Sequence, residues 1–523
     1  AAMHATGLPF AAATWNHLEH DLQRYADAWT TMHRESCEAH REGHQSDTQY
    51  DLRMRCLDQR RTSLAALTEV LAHADAETLQ RAALADDALP PIEPCGDLEA
   101  LLTDPLRPPD DPATAPAVAR VQAGLARVRA LEGTGLHARA AAAADALATD
   151  TAATHHLPFV AELALYRGRA LLADHPEAAD AALSAAFRDG LRSGHDRVAA
   201  EALARRIFVR GYRFGRRDDA ERDAELVLPL LDRVGDDGRL RGEYLNNMGA
   251  VSLGLGEWST AESLLVAAVA AKTAAFGPDA GELVYTYANL GTLRNDRDRS
   301  GAAIEALSAA LGVGVRAFGA EHPLVLLVRG NLGMALIKQR RFHDAGAALL
   351  AVRAGALARP DPDRVSLAFA EQQLGWLALE RRRPAEARDR LRAAEALQTA
   401  AGDRLAIADI AELQAQLAES DGDCEAALRH HERARSALTG LVPPEHPRWK
   451  ELQISRADLE VGCDRHAEAL AVATQLLTTL AVDDPKSALL RAEALERQAT
   501  AHHALGHHAD AVRAAAAALE LLT

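Results

Sequence analysis

The triplet Asn-(Met/Leu)-Gly returns at a fixed interval through the middle of this chain, and that interval constrains the fold more than any other feature. It stands at Asn247-Met248-Gly249, Asn289-Leu290-Gly291 and Asn331-Leu332-Gly333, and Gln373-Leu374-Gly375 takes its place in a fourth copy; each step is 42 residues. Ala261, Ala303, Ala345 and Ala387 keep the same beat, 14 residues after the Asn or Gln. The alanine series runs on through Ala427, Ala469 and Ala511, and back through Ala220, Ala178 and Ala138, at steps of 40 to 42. That makes about ten units, and a period in this range denotes a solenoid or array. Each unit reads as two helices. Apolar residues recur at helical spacing from Glu243 to Leu255, Gly256 stops the run, and a second helix spans about 259–274. "FGPD" from Phe276, "FGAEHP" from Phe318 and "LVPPEHP" from Leu441 break one unit from the next. Gly249, Gly291, Gly333 and Gly375 are expected where the first helix meets the second, opposite the alanines, with Leu265, Leu307, Leu349 and Leu391 as core fillers.

With 523 residues the chain is too long for one compact core. It is 48% hydrophobic but only 4% aromatic, so its interior is filled by Ala and Leu, which suits closely packed helices. A net charge of −17 argues against a nucleic-acid surface, which needs a basic patch. No run approaches the roughly 18–20 apolar residues of a membrane span, and no signal peptide opens the chain. "AAMHATGLPF" does not look like a natural start, so a fragment or processed product is expected.

The order Gly249, Ala261, Leu265, repeated three times more, resembles the tetratricopeptide repeat, and the 42-residue unit with its "FG(P/A)" breaks resembles the longer kinesin-light-chain type. The resemblance implies an all-α, right-handed superhelical solenoid of helix pairs: divergent repeats over 111–240, well-formed ones over 241–400, and further repeats over 401–523. It also implies a concave groove lined by the first helices, which in that family commonly holds an extended peptide. Carried over, the hydrogen-bonding Asn of the triplet marks Asn247, Asn289, Asn331 and Gln373, with Asn246, Tyr285, Thr292 and Lys338 nearby and Trp376 as a groove anchor or a packing residue. The bland reading of these amides is that they satisfy neighbouring helix ends or face water. No basic cluster marks a clamp for an acidic terminal peptide.

Residues 1–110 do not follow the repeat. Two long helices are expected, about 12–40 and 47–75, the second capped by Ser46 with Gln49 three positions on. "LPPIEPCGD" and "DPLRPPDDPATAP" separate this block from the array. Cys37, Cys56 and Cys95 have no zinc spacing and are either buried thiols or part of a disulfide set with one member missing. Cys424 and Cys463, in the repeats, read as small core residues. "ATGLPFAAATW", "YADAW", "CEAHREGHQSD" and "DLRMRCLDQRR" resemble the block that follows the membrane span in receptor-type serine/threonine protein kinases of myxobacteria and their relatives. The resemblance implies a kinase upstream of this chain and an extracytoplasmic placement in which Cys37, Cys56 and Cys95 form disulfides; in a cytoplasmic placement all three are thiols.

The chain itself carries no Gly-rich loop, V-A-I-K lysine, H-R-D or D-F-G, so no phosphoryl transfer is expected of it. H-E-x-x-H, G-x-S-x-G and the P-loop are absent too. In "HHALGHH" His503 and His507 are four apart, but Gly506 interrupts the helix and the reading finds no carboxylate to complete a set. A solvated turn is expected there, with no metal and no cofactor. The reading is therefore a non-catalytic scaffold or sensor region that binds a protein or peptide. Its rivals are a structural protein that self-assembles, stacking head to tail into filaments or pairing as a dimer, and an enzyme with an unfamiliar site.

Overall fold

The computed structural model describes residues 2–108, 111–235, 238–297, 299–442, 447–480 and 488–522. Among these every regular element is helical, and from Ala115 onward the helices fall into ten antiparallel pairs. The chain is an all-α solenoid of tetratricopeptide-like helix pairs, divided into two compact units, 1–328 and 329–523. Of the proline-rich breaks, 109–110 and 443–446 lie outside the described residues.

The recurring small residues have a steric cause, and it differs in one detail from the expectation. A Cβ on Gly291 would lie 2.5 Å from Leu307 Cγ, and one on Gly375 would lie 2.7 Å from Leu391 Cδ2. The glycine thus accommodates the leucine sixteen residues on, while Ala303 and Ala387 are themselves fully buried beside it. The turn between the two helices is equally regular. Gly256, Gly422 and Gly506 have positive φ there, and so do Arg340, Arg382 and Asp464 in the intervening copies. At each, the backbone closes with the paired bonds of a Schellman motif, for example Gly256 N–H to Leu253 O and Glu257 N–H to Ser252 O.

In the first unit the N-terminal block is a hairpin of Ala11–Arg41 and Asp47–Ala72. The second helix opens on a Ser46/Gln49 capping box. Trp29 Nε1–H donates to Leu57 O and Tyr25 O–H to Pro90 O, which ties the hairpin and the following loop together. The block also packs against the "FGAEHP" break. Thr14 Oγ1–H donates to Phe318 O at 3.2 Å, the His322 ring bonds Gln80 O at 3.0 Å, and Phe10 meets His322 edge-on. Because Asp47–Ala72 also packs on the first repeat helix, Ala115–Gly133, the block touches both an early and a late repeat of this unit.

Two expectations need amendment. Helix Ser300–Phe318 is long and apolar enough, by length and composition, to cross a membrane; it buries Ala303, Ala306, Leu307, Ala310 and Val313 as a core helix of the first unit. Cys424 and Cys463 are not separate thiols: they form a disulfide, as do Cys56 and Cys95, while Cys37 is a free thiol. Cys424 opens the second helix of one pair and Cys463 lies in the turn of the next, so the 39-residue spacing, close to one repeat, sets the two sulfurs side by side.

Candidate functional site

The first helices carry the side chains predicted to form a groove. Asn246, Asn247, Tyr285, Asn289 and Thr292 belong to the first unit, and Asn331, Lys338, Gln373 and Trp376 to the second. Asn247 Nδ2–H donates to Ala204 O of the preceding first helix at 3.0 Å, and Asn289 Nδ2–H reaches Asn246 Oδ1 at 3.4 Å. These amides link one first helix to the next. Tyr285 is exposed, while Asn331, Thr292 and Trp376 are half-buried. Lys338 is exposed and Gln373 is buried, beside a buried Glu371 that holds both Arg353 and Arg390.

Earlier in the first unit, four successive first helices are joined by a continuous ladder of ion pairs. Arg129 and His195 hold Glu162; Glu132 and Glu201 hold Arg169; Glu201 and Glu243 hold Arg205. Tyr166 lies between the guanidinium groups of Arg129 and Arg169, 5.2 Å from each. Burial pushes the Arg60 guanidinium of the N-terminal block down, and its helix, Asp47–Ala72, packs on Ala115–Gly133, the first helix of this ladder.

In the second unit the first helices Arg404–Ser420, Pro447–Gly462 and Ala488–Ala504 form a different wall. An open cleft of about 320 Å³ is lined by Glu419, Glu451, Asp458 and Glu493, with Arg448 and Ser455. Asp409, Glu451 and Glu493 stand one repeat apart, at steps of 42. Arg448 is shared among Asp409, Glu412 and Glu451, and Arg497 holds Asp458. Burial pushes the carboxyls of Asp409 and Glu412 up despite Arg448, and burial with the nearby Asp458 charge pushes Glu419 up. The wall thus holds more carboxylate than cation. Reading for amides missed it; the 42-residue step applied to carboxylates marks it.

The turn in "HHALGHH" also differs from its expectation. The structure brings His502, not His503, to His507, and Asp510 supplies the carboxylate that the sequence reading did not find. The cause is the left-handed Gly506, which folds His507 back over the end of the helix that carries His502.

No family model matches the chain, and no curated protein matches it significantly. Solved structures resemble it. The apo form of RapI aligns over 69% of this chain and 97% of its own, at 11% identity and TM-score 0.49. The apo form of the quorum sensor NprR from B. thuringiensis aligns over 69% and 98%, at 13% identity and TM-score 0.44. A kinesin light chain from Podosopora anserina, with nearly identical TPR-like repeats, aligns over 40% and 97%, at 18% identity and TM-score 0.35. At such identities the likeness is one of helical-repeat fold, and function has to be sought in the sites.

Proposed function

We propose that the chain is a non-catalytic scaffold that holds a protein or peptide partner against the first helices of its second unit, and that the segment held there is rich in Arg or Lys. The observation that carries this reading is the acidic lining of the cleft, to which Glu419, Glu451, Asp458 and Glu493 contribute against the single lining cation Arg448, with the Glu419 carboxyl pushed up by burial and the nearby Asp458 charge. A half-buried carboxylate such as Glu419 is disfavoured in its charged form, and a guanidinium or ammonium brought by a partner into an acidic cleft stabilises that form. In fluorescence anisotropy, a labelled arginine-rich peptide is expected to bind, and a glutamate-rich peptide of equal length is not. Binding should weaken as salt is added and be lost in the Glu419→Lys/Asp458→Lys variant. Equal capture of both peptides, or undiminished binding by the variant, would overturn the reading.

Self-assembly is favoured by a separate observation. Helix His508–Leu522 leaves Val512, Ala515, Ala516 and Leu519 exposed along one stripe at helical spacing. Such a stripe is what the next element of an array, or a second copy, covers. Sedimentation velocity distinguishes them: concentration-dependent growth that Val512→Glu/Leu519→Glu abolishes supports self-assembly, and a monomer at all concentrations rejects it.

The resemblance of the N-terminal block supports a further placement, as the sensory part of a receptor serine/threonine kinase on the extracytoplasmic side of a bacterial membrane. The two disulfides favour an oxidising compartment. The coding sequence upstream tests this placement. A kinase domain followed by an apolar membrane helix is expected, and their absence rejects it.

A further inference from the structure

We propose that the turn between Ala488–Ala504 and His508–Leu522 is a site for a divalent transition metal, with His502, His507 and Asp510 as its three protein ligands. One donor atom from each lies within 4.8 Å of the others. His502 Nδ1 and His507 Nδ1 are 3.4 Å apart. Two nitrogens bound at about 2.0–2.1 Å to one tetrahedral ion are separated by about 3.4 Å, so the rings already stand at the spacing a shared ion demands.

The backbone holds them there. Gly506 is left-handed, Gly506 N–H donates to His503 O, and His507 N–H donates to His502 O at 2.8 Å. In this Schellman closure the residues at the two ends of the longer bond face each other, and here both are histidine. Asp510 comes in one turn later, its N–H bonded to His507 O.

The preceding repeat shows what these three positions do. Exactly one period of 42 residues earlier they are Glu460, Arg465 and Glu468. There Arg465 lies 3.1 Å from Glu460 and 3.2 Å from Glu468, so the turn holds a guanidinium between two carboxylates. In the later copy the guanidinium is replaced by an imidazole, a second imidazole takes the place of Glu460, and the acid stays. A position that held a built-in cation now offers three donors to an external one. Arg513 also pairs with Asp510 Oδ1, but a carboxylate has a second oxygen free to coordinate.

Two imidazoles and one carboxylate select Zn²⁺, Co²⁺, Ni²⁺ or Cu²⁺ over Mg²⁺ or Ca²⁺, which take oxygen ligands. His507 is exposed and the other two are half-buried, so a fourth position remains open to solvent.

The test uses the full chain, treated with a chelator and then titrated with Co²⁺ and Zn²⁺, followed by visible absorption and calorimetry. One ion per chain is expected at this site. His502→Ala and His507→Ala should each weaken binding by more than about tenfold, and His503→Ala/His508→Ala should leave it unchanged. Circular dichroism of each variant reports whether the helices are retained. Absence of binding, or undiminished binding by a folded His507→Ala chain, overturns the proposal.

Discussion

Reducing the intact chain should lower its thermal midpoint, and replacing Cys424 and Cys463 by Ser should reproduce the part that arises in the second unit. Each disulfide spans a sequence separation of 39. In the chain-entropy account, closing a loop of that length in the unfolded ensemble contributes about 4 kcal/mol. For a unit of this size that is roughly 10 °C in melting temperature. The geometry favours realising much of it. Cys95 is fully buried, and the backbone it anchors is also held by Arg53 Nε–H donating to Cys95 O. Cys424 and Cys463 join adjacent helix pairs, whose mutual contact is what stabilises a repeat array. Scanning calorimetry with and without reductant measures the effect, and mass spectrometry after alkylation counts the free thiols. The oxidised chain should show one, Cys37, and the Cys424→Ser/Cys463→Ser chain should lose less than the wild type on reduction. Five free thiols in a chain purified without reductant, or a midpoint indifferent to reduction, would mean that the bonds contribute nothing.

The disulfides also show what could and could not be read from residues alone. The Gly, Ala and Leu markers were legible because steric contact between the two helices of a pair repeats identically in every copy. Gly291 against Leu307 is the same contact as Gly375 against Leu391. The capping box at Ser46 was legible because it is local. The pairing of Cys424 with Cys463 was not, because two cysteines nearly one period apart look like ordinary core residues until the repeats are stacked. The same holds for His502 with Asp510, whereas the carboxylates at 409, 451 and 493 keep the 42-residue step and only the gathering of 451 and 493 at one cleft needs the stacking. Each depends on which faces and turns the stacking superimposes. The amides at Asn247 and Asn289 stood out as sequence letters, yet Asn247 donates to a neighbouring helix carbonyl. A side chain that repeats with the period is as readily a spacer between first helices as a contact for a ligand.

Breaking the half-buried ion ladder of the first unit should be the costliest single change outside the disulfides. Glu162→Ala leaves the Arg129 guanidinium, whose side chain is only 20% exposed, with no carboxylate partner among its described contacts. Removing one partner of a fully buried pair costs about 3–5 kcal/mol, and the cost here lies towards the lower end because each side chain keeps 20% of its surface, whereas replacing both by apolar residues of similar size is often nearly neutral. Arg129→Met/Glu162→Leu should therefore be markedly less destabilised than Glu162→Ala, a contrast that simple loss of packing does not produce. Acid should act on the same group. Burial alone would push the Glu162 carboxyl up, but Arg129 and His195 overcome it and hold the carboxyl at about 2, from 4.5. Its contribution, roughly 3 kcal/mol, is present above the unfolded value and is lost as pH falls from about 4.5 through 2. In the second unit His431 titrates over a different range. Burial, aided by Arg456, pushes its ring down to about 4 from 6.5, so it is folded as the neutral form. The unfolded chain takes up that proton first, and the stabilisation fades as pH falls from 6.5 towards 4. Urea unfolding near pH 7, about 5 and about 3 separates the two effects. Between the first two pH values the second unit should lose stability by an amount that His431→Phe reduces, while His137 and His156, whose rings burial also lowers, add a loss in the first unit; between the last two the first unit should weaken further, and Glu162→Gln should flatten that dependence. If His431→Phe and Glu162→Gln leave these dependences unchanged, neither group sets the response.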